Sequence, residues 1–135
     1  MKMFIAAAAL LLGSASAMAA TVEVGSGDWS NIPEMRQMVD SIDSNAVAAI
    51  HEAIENGECV IEGQRKGDLD MTVPFLVRFN PDGSVDRLVL EKIGCEKAEG
   101  ILAGALLKLI DRGSFRPVGG MQEGWYRSSV SFAHS

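Results

Sequence analysis

From Met71 to Phe79 an apolar side chain recurs at every second position: Met71, Val73, Phe75, Val77 and Phe79. That period of two sets all five on one face of a strand. Asn80-Pro81-Asp82-Gly83 then interrupts the pattern. Proline pre-sets φ inside a turn and glycine accepts a positive φ at its exit, so the four residues predict a hairpin. Val85 to Leu90 supplies the return strand. Val85 is out of phase with Leu88 and Leu90, and a bulge near Asp86–Arg87 would repair the phase. Pro74 has no N–H to donate, which predicts that the first strand lies at a sheet edge, at least around that residue.

Elsewhere the period changes. In Glu96–Asp111, Ile101, Leu102, Ala105, Leu106, Leu109 and Ile110 form one broad apolar face, the pattern of an amphipathic helix. Glu96 and Glu99 suit its first turn and Gly113 its end. Gly100 and Gly104 are poor helix formers on one face, so close approach of this helix to the sheet or to earlier helices is expected. Upstream, Pro33 fits a first helical position, and Met35, Met38, Val39 and Ile42 follow helical spacing. Asp43 reads as a fresh N-cap before Val47, Ile50, Ala53 and Ile54, and Gly57 as a stop. Residues 31–58 are therefore expected as two short helices or one bent one. Residues 20–30 read as an extended lead-in whose Trp29 docks on the domain, and Glu62–Asp70 as a loop. Trp125–Ala133 alternates as a last strand, with Tyr126, Val130 and Phe132 toward the helix. The expected fold is α+β: a small antiparallel sheet of about three strands covered by one long helix, with an N-terminal helical segment.

The first residues carry a different message. One lysine, the apolar run Met3–Leu12 and the small residues Ala17-Met18-Ala19 have the layout of a secretory leader. Residues 1–19 are expected to be removed, with the cut after Ala19 or one residue later. The run is too short to span a bilayer, which takes about 20 apolar residues. Loss of the leader removes the charge of Lys2 alone, so the net charge goes from −6 to −7 over 116 residues. That length suits one domain, and the acidic balance argues against nonspecific nucleic-acid binding. The expected location is the periplasm or outside the cell, with no stable membrane insertion after cleavage. In an oxidising compartment Cys59 and Cys95 are expected to form a disulfide.

Candidate chemistry is sparse. His51-Glu52-Ala53-Ile54-Glu55 superficially matches the H-E-x-x-H zinc pattern, but the second ligand is Glu55 and no third is near. A solvated helix face is the plainer reading, and no metal or other cofactor is expected. Neither His51 nor His134 has a recognisable partner motif for acid–base or nucleophilic work, so no enzyme is expected.

The ordered features of Met71–Phe132 are more specific together than singly. The Val73-x-Phe75-x-Val77-x-Phe79 alternation, Asp82-Gly83 with Val85, the alanine- and leucine-rich helix, Phe115-Arg116-Pro117 and the closing Val130-x-Phe132 resemble the C-terminal domain of TonB and the wider TonB/TolA-like group. The likeness covers about 60 residues, so 59–135 is read as that domain. The anchor helix and proline-rich spacer of TonB have no counterpart here. The resemblance implies a binding module that takes an extended segment of a periplasmic protein or peptide as an added strand, with a link to outer-membrane transport. It points to Trp125, Arg127, Ser129 and Ser131 on the outward side of the last strand. A secreted inhibitor or regulator of another periplasmic protein, and a small secreted enzyme, stay open as other readings. The cysteine pairing is checked by mass spectrometry: the unreduced protein should weigh two hydrogens less than its thiol form and resist alkylation until reduced.

Overall fold

The computed structural model describes residues 20–37, 42–61, 68–113, 115–117 and 123–134. The expected leader lies outside the described residues, as does Met38–Val39 of the expected first helix. The elements are β1 (Thr21–Gly25), β2 (Met35–Gln37), α1 (Ser44–Glu55), β3 (Leu69–Phe79), β4 (Val85–Glu91), α2 (Glu96–Asp111), β5 (Phe115–Pro117) and β6 (Gly124–His134).

The hairpin predicted from the alternating run is the centre of the sheet. β3 and β4 pair antiparallel from Phe75 opposite Leu90 to Arg78 opposite Arg87. In the turn, the Asn80 N–H donates to the Ser84 carbonyl at 2.8 Å, and Gly83, with φ 88°, donates to the Asn80 carbonyl at 2.9 Å. Asp82 accepts from the Ser84 hydroxyl at 2.6 Å and the Ser84 N–H at 2.9 Å. Those two bonds hold its carboxyl below the usual carboxylate range. The phase slip is taken up where expected. Phe79 pairs with Val85 while Arg78 pairs with Arg87, which leaves Asp86 unopposed, and its carboxylate meets the Arg78 guanidinium at 2.7 Å.

Four strands, not three, make the main sheet, in the order β1-β4-β3-β6. β1 runs parallel to β4, with Thr21 opposite Arg87 and Gly25 opposite Glu91, so the sheet is mixed and the all-antiparallel expectation is wrong. The supposed extended lead-in is thus an ordered strand, although its side chains are mostly exposed. β3 as a whole is interior, and the edge reading holds only locally, around Pro74. It pairs with β6 along all eleven residues, Leu69 opposite His134 to Phe79 opposite Gly124. Its pairing with β4 begins only at Phe75, so beside Pro74 only the β6 flank is matched to a strand. Leu69 and Asp70, read as loop, belong to β3.

Residues 31–37 correct the expectation further. Met35–Gln37 is a short strand antiparallel to β5 and not helical. The second helical stripe is as expected: α1 starts at Asp43, whose carboxylate accepts from the Asn45 N–H at 3.0 Å, and buries Val47, Ile50 and Ala53. Two helices therefore cover the sheet, where one long helix was expected. α1 packs on α2 and β6, and α2 also meets β4 and β5. α2 has the predicted bounds. Cys95 caps it, accepting from the Ala98 N–H at 3.3 Å, while the buried Glu99 carboxylate takes the N–H groups of Ile93 and Gly94 at 2.6 and 3.1 Å. The β4–α2 turn is thereby fastened to the helix it feeds.

Between helices and sheet lies one core. Phe75, Phe79, Leu88, Leu90, Leu102, Leu106, Phe115 and Val130 are all 2% exposed or less. Phe75 meets Phe115 edge-on, ring centres 5.2 Å apart and planes at 90°, a geometry aromatic quadrupoles favour. The Cys59–Cys95 disulfide joins the end of the α1 region to the start of α2 across a separation of 36 residues. A loop of that size is worth roughly 3–4 kcal/mol in the chain-entropy account. Gly100 and Gly104 do not mediate a close approach: both are exposed, and a Cβ at either would meet nothing within 4 Å. Each costs about 1 kcal/mol relative to alanine, and no close contact among the described residues offsets that.

Hydrogen exchange should rank the elements accordingly. The amides of Phe75–Phe79, Val130, Phe132 and α2 are expected to exchange slowest, together, while β1, paired on one side and poorly buried, exchanges well before them. Equal protection of β1 and β3 would contradict this account.

Candidate functional site

In a strand the backbone groups of successive residues point to alternate sides. β6 has β3 on one side only. The Arg127 N–H donates to the Pro33 carbonyl at 2.8 Å, away from β3, so residues of the same parity, Trp125, Ser129, Ser131 and Ala133, also turn their backbone groups outward. All four predicted residues, Trp125, Arg127, Ser129 and Ser131, therefore share one edge and one sheet face. Tyr126, Val130 and Phe132 are buried on the other.

They are not equivalent. Arg127 is already occupied. Its Nε donates to the Ile32 carbonyl at 2.7 Å, its Nη1 lies 3.4 Å from a Glu34 carboxylate oxygen, and Glu34 forms a parallel bridge with it. The segment leading there starts at β1, on the far edge of the sheet. Residues 26–34 must therefore cross the face away from the helices, and a tight turn shapes the crossing, with the Ile32 N–H on the Trp29 carbonyl at 3.0 Å. Trp29 is half-buried and lines a cavity of about 290 Å³ with Gly27, Pro74, Glu91, Arg127 and Ser129. Leu76 sits on that face, opposite Arg127, and is only 7% exposed.

Beyond Arg127 the edge differs. The Ser131 hydroxyl bonds that of Thr72 across the sheet at 2.8 Å, an interaction of side chains alone. No backbone hydrogen bond reaches the outward groups of Ser129, Ser131 or Ala133 from the described residues. Among the described residues an edge of about five residues, roughly 17 Å at 3.3 Å each, is left open. Sequence periodicity found this face. It could not find the strap, whose anchor depends on contacts between residues more than ninety positions apart.

The two histidines, read as a solvated face and a terminal residue, in fact meet. His51 on α1 stacks on His134 at the end of β6, ring centres 4.4 Å apart and planes 29° from parallel. Stacked rings keep their nitrogen lone pairs in nearly parallel planes, which do not converge on one ion. The His134 Nδ1 is buried without a hydrogen-bond partner among the described residues. No group of three or more His, Cys, Asp or Glu among the described residues is placed to hold a metal. The contact ties α1 to the strand whose edge is open.

Comparison of the chain with protein-family models, curated proteins and solved structures gives no match.

The strap should respond unequally to its two side-chain anchors. Glu34→Ala removes one exposed ion pair and is expected to cost less than about 1 kcal/mol. Arg127→Ala also removes a charged donor from the Ile32 carbonyl and should cost roughly 1.5–3 kcal/mol. Urea unfolding followed by tryptophan fluorescence measures both, and equal losses would place the anchor elsewhere.

Proposed function

We propose that this protein is a non-enzymatic binding module that takes an extended segment of a protein or peptide partner as an added strand beside β6. The observation that carries the reading is the edge itself. One end of it already accepts a strand-like segment, the chain's own Pro33–Glu34, and the stretch Ser129–Ala133 continues the same backbone array without a backbone partner among the described residues. Exposed edges of this kind give affinity through main-chain hydrogen bonds and specificity through alternate side chains. The cavity between Trp29, Pro74 and Arg127 offers such a side chain a place to lodge.

The setting we propose is the periplasm or the cell exterior. The disulfide is compatible with an exported protein, and no helix among the described residues is long and apolar enough to cross a membrane. The resemblance to TonB-like C-terminal domains favours a partner connected with outer-membrane transport.

The test uses a partner recovered from periplasmic extract on immobilised protein. Ser129→Pro removes the first outward donor of the open edge, next to the strap, and a folded variant should lose capture. Ser129→Ala should bind as wild type does, because pairing uses the backbone and not the hydroxyl. Undiminished capture by a correctly folded Ser129→Pro variant would overturn the proposal.

A further inference from the structure

Glu96, Gly100, Gly104 and Lys108 follow one another at steps of four along the exposed side of α2. Steps of four on a helix form a continuous ridge, and here the ridge is charged at both ends and bare in the middle. A Cβ would meet nothing at either glycine, so alanine would fit there and would favour the helix. Among the described residues of one copy nothing packs against the glycines.

On each side of the ridge the surface is hollow. Toward α1 lies a cavity of about 350 Å³ walled by Ala46, Ile101, Ala105 and Leu109. Toward β1 lies one of about 690 Å³ lined by Val22, Val24 and Gly94 together with the charged Lys92, Glu96 and Glu99. Val22 and Val24 are 43% and 45% exposed, two of the three large apolar residues so exposed among the described residues. A lowered ridge between two hollows, each with apolar walls and charged residues around them, is a surface onto which another helix can pack closely.

We propose that this face docks a second copy of the chain, with the two α2 helices antiparallel about a two-fold axis between Gly100 and Gly104. Charge selects both the occupant and the direction. Antiparallel packing sets each Glu96 against the second copy's Lys108 and each Gly100 against the second copy's Gly104. Parallel packing in register would set like charges together. Neither Glu96 nor Lys108 has an ion-pair partner among the described residues. A two-fold axis makes each contact twice, the self-complementarity that such an interface demands. The glycines let the helix axes approach to about 8 Å, the close end of the usual range. The dimer face is separate from the β6 edge, so the inference stands whether or not that edge binds a partner.

Sedimentation equilibrium of the purified protein tests it. The mass should rise from one chain toward two as concentration goes from about 1 μM to about 1 mM. Glu96→Lys and Lys108→Glu should each weaken association at least about tenfold, and the double variant, which exchanges the charges, should return to within roughly threefold of wild type. Gly100→Ala with Gly104→Ala should raise the melting temperature of dilute protein and yet weaken the dimer, two effects of opposite sign. A monomer at about 1 mM overturns the proposal. So does a double charge variant as weak as the singles, or an alanine variant that associates as well as wild type.

Discussion

The eleven-residue antiparallel ladder between β3 and β6 is the constraint on which the other contacts depend. A strand slipped by one residue turns every side chain to the opposite face. Here the ladder fixes Val73, Phe75 and Val77 on the side of Val130 and Tyr126, all buried. With that register set, α1 and α2 have a single apolar surface to cover, and Phe115 can close against Phe75. The disulfide holds the two helical segments to each other, but it is the ladder that decides which face they cover.

Elements whose stabilising neighbours are local were legible in the sequence. α2 was readable to its ends because its apolar face, its acidic first turn and Gly113 all lie within eighteen residues. The β3–β4 hairpin and its bulge were readable because turn chemistry and phase are properties of adjacent residues. β1 was not. TVEVG has two apolar positions and runs into a glycine- and serine-rich stretch, and its parallel pairing with β4 depends on a strand far along the chain. Met35 fits a helical stripe with Met38, Val39 and Ile42, yet the segment before it is claimed by Arg127 and β2 by β5. Tertiary pairing overrides local spacing when it satisfies backbone groups that a one-turn helix would leave open.

The candidate site was half visible for the same reason. Alternation along Trp125–Ala133 separated inward from outward residues correctly. Which outward positions are taken and which remain open is decided by a strap that arrives over the opposite face of the sheet, and no period in the sequence announces that. The stacked histidines were equally hidden, since His51 and His134 meet only once α1 lies over the end of β6.

The crossing strap has a consequence for how the molecule is made. Synthesis runs from the N-terminus, but both ends of residues 21–34 wait for partners that emerge much later: β4 for Thr21–Gly25, and Arg127 for Pro33. The longest ladder also closes on the last strand. Contacts so distant along the chain make folding slow compared with that of helical domains. A nascent chain ending at α2 would hold a hairpin and a helix without the strand that completes their core. The sheet and the core beneath it can therefore close only once β6 has been made.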